Sequence, residues 1–238
     1  MAGISDRYAP DFPTRYWQRS QQPLQALVFL LPALVFYEVG VFGFAKSADL
    51  FAEEMIQKIF NGLGVASYHL PPLVVVVLLL SWHVVRRDRW SCEAKIFVVM
   101  FLESVVLISP LLVLGMLLPD RLLAVAESWQ TELVQSIGAG IYEELIFRLM
   151  AIALLHSLLV DRMKIPHRWG AACAITISSL AFASVHFFKI EFELGLFIFF
   201  TMAGFYLAAI YLLRGFGIVV GTHAIYNVVA RLATDLSI

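Results

Sequence analysis

Long apolar runs recur along almost all of this 238-residue chain, and they constrain its fold more than any other feature. Hydrophobic residues make up 61% of the sequence and charged residues 15%, against about 25% charged residues in an ordinary soluble domain. One membrane-spanning helix needs about 20 apolar residues. The sequence therefore predicts an all-α, polytopic transmembrane helical bundle. Its composition excludes a disordered chain, a coiled coil and a water-soluble globule.

Seven of the apolar runs are interpreted as spans, within a range of six to eight. They cover residues 24–44, 68–85, 96–118, 134–160, 169–188, 194–213 and 216–233. Residues 46–63 and 120–132 mix charged and apolar residues at helical spacing, which predicts short amphipathic helices at the interface. Residues 1–22 form a polar N-terminal segment without a signal-peptide pattern. Residues 23–238 are predicted to form a single integral membrane domain.

Lysine and arginine residues are distributed unevenly between the two ends of these spans. With the N-terminus in the cytoplasm, one side receives 11 of them and the other side 5, with Arg148 left inside the fourth span. Cytoplasmic loops carry such an excess of basic residues, so we expect a cytoplasmic N-terminus. The net charge is −1 and no basic cluster is present, which argues against a nucleic acid partner. The expected surroundings are a lipid bilayer.

The fourth span carries Glu143, Glu144 and Arg148 in an otherwise apolar run. Charges inside a bilayer are costly, so each of them marks a candidate functional site. Glu144 and Arg148 stand four residues apart with the acid first, which favours an ion pair along one helix face. Glu143 points about 100° away and faces another group. Taken alone, such a pattern is more often a pair of glutamates near a helix start, here after Gly138 and Gly140.

Two later spans each add a histidine with a partner one helical turn away. Phe182 and His186 lie in the fifth span, and His223 and Asn227 lie in the seventh. Each pair alone is more often a packing or interhelical hydrogen-bond site. Together with the glutamates they could line one polar cavity, in which a carboxylate and a neutral imidazole hold and deprotonate a water. The other histidine and the asparagine could then stabilise an oxyanion, which would allow amide hydrolysis without a covalent intermediate.

The order EExxxR, FxxxH and HxxxN on separate apolar spans resembles the CAAX protease and bacteriocin-processing (CPBP, or Abi) family of intramembrane glutamic-type proteases. The resemblance covers about residues 136–229, and it implies a protease core over about 132–235. It further implies an endopeptidase that acts on a membrane-associated protein or peptide. The expected location is a bacterial inner (cytoplasmic) membrane.

The resemblance also implies a role for each residue of the three motifs. Glu143 would be the general base that activates water, and His186 would help to bind that water. His223 and Asn227 would stabilise the oxyanion. The supporting residues would be Glu144, Arg148 and Phe182.

Whether the reaction needs a metal is left open by these residue types. A glutamic-type mechanism uses no cofactor, whereas a zinc mechanism would take Glu143, His186 and His223 as ligands. Zinc-binding histidines usually have a second partner that orients them. Asn227 shares a helix face with His223 and is better spaced to act beside it than behind it, so we expect the metal-free mechanism.

Two other functions remain open from the sequence. One is a proton-coupled transporter whose buried glutamates and histidines relay protons, although no internal repeat of the kind common in transporters is visible. The other is a catalytically inactive membrane scaffold or immunity protein of the same family. The topology also sets Glu143 and His186 in the outer half and His223 nearer the cytoplasm, so a shared site requires a shifted or broken span. Glu38 and Glu103 are predicted to be packing or substrate-path residues.

Overall fold

A computed structural model of the chain describes residues 12–43, 51–62, 70–116 and 129–235. Within these ranges the secondary structure is helical and contains no strand, which confirms the all-α fold class. The helices are α1 (Phe12–Ser20), α2 (Pro23–Gly43), α3 (Phe51–Gly62), α4 (Leu70–Arg86), α5 (Ala94–Leu107), α6 (Ser109–Gly115), α7 (Trp129–Glu144), α8 (Ala153–His156), α9 (His167–His186), α10 (Leu194–Arg214) and α11 (Phe216–Asp235). Two π-helical segments flank α8, π1 (Leu145–Ile152) and π2 (Ser157–Arg162).

Five of the described helical stretches are long and apolar enough to cross a membrane. They cover Pro23–Gly43, Ala94–Gly115, His167–His186, Leu194–Arg214 and Phe216–Ala233. The helix α4 is also apolar but shorter, with 17 residues. The remaining predicted span corresponds to α7, π1, α8 and π2, which follow one another without a gap and contain Glu143, Glu144 and Arg148. The chain is an integral, multi-pass membrane protein, as its composition predicts.

Two of the predicted spans contain prolines, with different outcomes. Pro32 lies inside α2 without ending it, as membrane helices tolerate. The third predicted span is divided into α5 and α6, since the second helix starts with Ser109 and a proline follows at its second position. The predicted amphipathic segment 46–63 corresponds in part to α3. Most of the segment 120–132 lies outside the described residues, and its last residues form the start of α7.

Two glycines allow the helices of the second half to approach closely. A Cβ atom added at Gly140 in α7 would lie 2.7 Å from the backbone nitrogen of Ala224 in α11. A Cβ atom added at Gly204 in α10 would lie 3.1 Å from the backbone of Ser179 in α9. Small residues bring membrane helices together in this way. The close contacts set α7 beside α11 and α9 beside α10, with π1 against α9.

Candidate active site

Glu144, the last residue of α7, lies at the centre of a buried polar cluster. Its side chain is fully buried, and its Oε2 atom lies 3.2 Å from Nε of Arg148. The ion pair expected from the spacing is therefore present. The other oxygen, Oε1, lies 2.8 Å from Nδ1 of His223. Since a carboxylate paired with a guanidinium only accepts hydrogen bonds, His223 Nδ1 is the donor.

Arg148 is the fourth residue of π1, which begins at Leu145. Its side chain is fully buried, and its Nη2 atom donates to the carbonyl oxygen of Gly204 over 3.3 Å. Its guanidinium carbon lies 4.3 Å from the ring centroid of Phe182, a cation–π contact. A carboxylate, a carbonyl and an aromatic face thus compensate the buried charge. Arg148 therefore positions Glu144.

Glu143 faces the other nitrogen of the same imidazole. Its side chain keeps 14% of its surface exposed, and its Oε2 atom lies 3.9 Å from Nε2 of His223. This distance is too long for a direct hydrogen bond, but one water can bridge it. His223 thus lies between two glutamates, of which one holds Nδ1 and the other faces Nε2. A neutral His223 with its proton on Nδ1 presents a lone pair towards Glu143.

His186, the last residue of α9, is held from three sides. Its Nδ1 atom lies 2.8 Å from the carbonyl oxygen of Phe182, and its ring lies edge-on to the Phe182 ring at 4.9 Å. On the other side it stacks on Phe200 of α10, with centroids 3.9 Å apart and planes inclined by 20°. A carbonyl oxygen only accepts hydrogen bonds, so the proton is on Nδ1. The neutral ring therefore keeps a lone pair on Nε2.

Phe182 connects the two histidines. Its ring centroid lies 5.9 Å from that of His223 and 4.9 Å from that of His186. The structure thereby brings six of the predicted residues into one cluster of direct contacts: Glu143, Glu144, Arg148, Phe182, His186 and His223. His186 ends its helix whereas His223 lies two turns into α11, so the helices are staggered. The prediction that His186 and His223 lie at different depths in the membrane is therefore wrong.

Asn227, the seventh predicted residue, lies one turn beyond His223 on the same face of α11. Its side chain is half-buried. Its carboxamide makes no hydrogen bond to any residue that the structure describes. Two N–H donors are therefore available one helical turn from His223.

Sequence reasoning missed two residues that α10 contributes to the cluster. Phe200 supports the His186 ring, and Gly204 provides the carbonyl that accepts from Arg148. The helix α10 is largely apolar and its one charged residue, Arg214, stands at its far end, so no charged residue marks the side that faces the site. The only signal was Gly204 itself, a small residue of the kind that permits close helix packing.

Glu103 of α5 lies in a second polar cluster. Its oxygens accept hydrogen bonds from Nε and Nη2 of Arg214 and from the hydroxyl of Tyr16. The guanidinium of Arg214 also lies 3.8 Å from the Trp17 ring centroid, and its Nη2 atom donates to Ser20. This Glu103 cluster attaches α1 to α5 and to the end of α10.

A zinc ion does not fit the described residues well. Among them, no three His, Cys, Asp or Glu side chains gather closely enough to hold a metal ion, so the steps proposed below use only the side chains. The sequence argument against zinc weighed only Asn227 as the orienting partner of His223. Glu144 stands behind Nδ1 of His223, which is where the orienting partner of a metal-binding histidine is found. Metal dependence therefore needs an experiment.

Comparison with protein families agrees with the motifs. Residues 126–229 match the family model described as type II CAAX prenyl endopeptidase Rce1-like. This range contains Asn227 and every residue of the buried cluster. No match was found among curated proteins or among solved structures. The resemblance carried by EExxxR, FxxxH and HxxxN is confirmed: the second half of the chain is similar to the Rce1-like type II CAAX prenyl endopeptidases, which matches the CPBP family.

Proposed function

We propose that the chain is an intramembrane endopeptidase that cleaves a membrane-associated protein or peptide with an activated water. One observation carries this proposal. The imidazole of His223 lies between two glutamates inside an apolar bundle, 2.8 Å from Glu144 and 3.9 Å from Glu143. Such an arrangement holds one carboxylate in place and leaves the other to act on a water.

Glu143 is the proposed general base. It is the only carboxylate of the buried cluster with an exposed fraction, and a water between Glu143 and His223 Nε2 lies within hydrogen-bond reach of both. His186 offers a further acceptor for that water at Nε2. Glu143 takes one proton from the water while the water oxygen attacks the carbonyl carbon. The same proton then passes to the leaving amine as the C–N bond breaks.

Asn227 and His223 are the proposed donors to the oxyanion. The carboxamide of Asn227 has N–H groups without a described partner, which matches what an oxyanion site requires. His223 donates from Nε2 only when it also carries a proton there. The positive charge that results lies between Glu143 and Glu144, which compensate it. Glu144 and Arg148 keep the imidazole in place.

We also propose that the protein resides in a bacterial inner membrane with its N-terminus in the cytoplasm. The 11-to-5 bias of basic residues supports this orientation. Cys92 is exposed in the loop between α4 and α5, on the side predicted to be cytoplasmic. In intact cells carrying a Cys173→Ser variant, a membrane-permeant maleimide should label Cys92 and an impermeant one should not. Labelling by the impermeant reagent would reverse the orientation.

The decisive experiment is an assay of the purified full chain in proteoliposomes. A library of peptides with and without a lipid-modified cysteine is incubated with the protein, and products are identified by mass spectrometry. We expect cleavage that Glu143→Ala abolishes and that the surface control Glu54→Ala, which removes a partner of Lys58, retains. Proton flux dependent on Glu143 without cleavage would favour the transporter. A folded protein with neither activity would favour the scaffold.

A further inference from the structure

Two histidines outside the proposed active site face each other at the end of the hairpin between π2 and α9. Nε2 of His156 and Nδ1 of His167 lie 3.0 Å apart. The ring centroids are 4.9 Å apart and the ring planes are inclined by 73°. Both rings lie at the surface. The proposed protease chemistry uses neither of them.

The chain around these histidines is locally well fixed. Gly170 of α9 packs against Val160 of π2, and a Cβ atom added at the glycine would lie 2.4 Å from Cγ2 of that valine. The backbone N–H of Ile165 donates to the carbonyl of Leu159 over 3.0 Å, which closes the turn. The distance between the two imidazoles therefore depends on the hairpin backbone as well as on the side-chain rotamers.

The separation of the two nitrogens suits a shared metal ion. At metal–nitrogen distances of about 2.0–2.1 Å, nitrogens 3.0 Å apart subtend an angle of about 95° at one ion. This angle belongs to neighbouring positions of a square-planar or octahedral complex, the geometries that Cu(II) and Ni(II) take. A tetrahedral angle at Zn(II) would need a separation of about 3.3–3.4 Å, a small adjustment of two side chains.

We propose that His156 and His167 form a surface site for a divalent transition metal ion of the Cu(II), Ni(II) or Zn(II) class. Imidazole nitrogens favour these ions over Ca²⁺ and Mg²⁺, which prefer oxygen ligands. Among the described residues no third His, Cys, Asp or Glu completes the group, so water fills the other positions. Without metal, one ring donates an N–H···N hydrogen bond to the other. When the ion binds, that proton moves to the far nitrogen of the same ring, so both rings stay neutral.

The metal would join the two helical segments that carry the proposed active site. One segment runs from α7 through π1 to α8 and contains Glu143 and Glu144, and the other is α9, which ends at His186. An ion bound to His156 and His167 holds their ends together at the hairpin. We therefore expect metal binding to stabilise the folded chain, because the two ligands come together only in that state.

The test uses the full chain in detergent, purified with an affinity tag that contains no histidine. Cu(II), Ni(II) and Zn(II) are each added in about tenfold excess, bound metal is measured after gel filtration, and thermal unfolding is recorded. Bound Cu(II) should show hyperfine coupling to two nitrogens by electron paramagnetic resonance. His156→Gln combined with His167→Gln should abolish this signal and the metal-induced rise in Tm, without lowering Tm in the absence of metal.

Two further variants separate this site from the proposed active site. His186→Asn and His223→Asn should each keep the two-nitrogen copper signal and the metal-induced rise in Tm. Binding that persists in the His156/His167 double variant, or copper lost from His186→Asn or His223→Asn, would overturn the proposal. Wild-type protein that binds none of the three ions would overturn it as well.

Discussion

The cluster around Glu144 and the Glu103 cluster are both built on a glutamate–arginine ion pair beside an aromatic ring. They differ in the hydrogen-bonding groups that remain available to a water or a substrate. In the Glu103 cluster, both carboxylate oxygens accept hydrogen bonds from within the cluster. In the other cluster, Glu144 forms an ion pair with Arg148 and accepts a hydrogen bond from His223, and a second glutamate stands beside it. Glu143 has no direct hydrogen bond to that imidazole at 3.9 Å.

This difference separates a structural polar cluster from one suited to catalysis. Buried polar groups that fully satisfy one another stabilise a fold, because each desolvated charge has its partner. A reacting water needs lone pairs and donors that no protein group has already taken. The cluster around Glu144 offers such groups at Glu143, at Nε2 of His186 and at Asn227, and the Glu103 cluster offers fewer. The predictions below test this contrast.

The largest expected effect is that of Glu143→Gln. The amide keeps the size of the side chain but cannot take a proton from water, so the cleavage rate should fall by about 10²–10⁴-fold. The Tm in detergent should be unchanged, because Glu143 does not form a direct ion pair with a buried cation. Wild-type cleavage by this variant would remove Glu143 from the role of base.

The next effect is that of Glu144→Gln, which should lower both activity and stability. The variant leaves Arg148 without its buried counter-ion, at a cost of about 3–5 kcal/mol. It also weakens the hold on His223, which should reduce cleavage by about 10–100-fold, the range seen when the partner that orients a metal-bound histidine is removed. Unfolding curves and the cleavage rate per folded molecule separate the two effects.

A double variant sharpens this result. Glu144→Gln with Arg148→Met removes both charges and should recover much of the stability without recovering the cleavage rate. Recovery of cleavage along with stability would show that Glu144 acts only through the fold. A stability loss that persists in the double variant would contradict the assignment of Arg148 as its counter-ion.

Glu103→Gln should lower stability without lowering the cleavage rate per folded molecule. The substitution weakens hydrogen bonds to the charged Arg214, and such bonds are worth about 1.5–3 kcal/mol each. Because these contacts attach α1, the helix should also become more sensitive to protease in detergent. A fall in cleavage rate comparable with that of Glu144→Gln would erase the contrast between the two clusters.

Much of the fold was readable from the sequence because lipid imposes simple rules. Runs of apolar residues predict spans, and the four-residue spacing of Glu144 and Arg148 predicts their ion pair, which is present. These features depend on one helix at a time. The boundary of α5 and α6 lies at a proline, a local signal that the prediction of one span over 96–118 did not use.

Contacts between helices were harder to predict. The hydrogen bond from His223 to Glu144 joins residues 79 positions apart, and no spacing rule marks it. The stacking of Phe200 on His186 was invisible because a membrane helix is apolar on the lipid side as well as on the protein side. The stagger of α9 and α11 depends on packing between helices, so counting residues from the span ends placed His186 and His223 at different depths.

A smaller effect is expected for Phe200→Leu, which removes the ring stacked on His186. Aromatic pairs of this kind contribute about 0.5–1.5 kcal/mol beyond their burial, so the cleavage rate should fall by no more than about tenfold. The hydrogen bond from His186 to Phe182 remains and limits the loss. Phe199→Leu, at the neighbouring position of α10, is the matched control and should change the rate less. Equal losses would assign the effect to packing of α10 in general.

The smallest expected effect is that of removing metal, which should leave the cleavage rate unchanged. In the proposed mechanism Glu143, His186, His223 and Asn227 act without an ion, and the described residues gather no three-ligand group there. Purified protein is dialysed against a strong chelator, bound metal is measured, and cleavage is assayed. The same assay on the His156→Gln/His167→Gln double variant keeps the proposed surface metal site from contributing. The contradicting result would be stoichiometric zinc in that variant, with cleavage lost when the zinc is removed and restored when it is returned. Glu143 would then be a metal ligand and not the base that activates water, and Glu144 would be the partner that orients a zinc-binding His223.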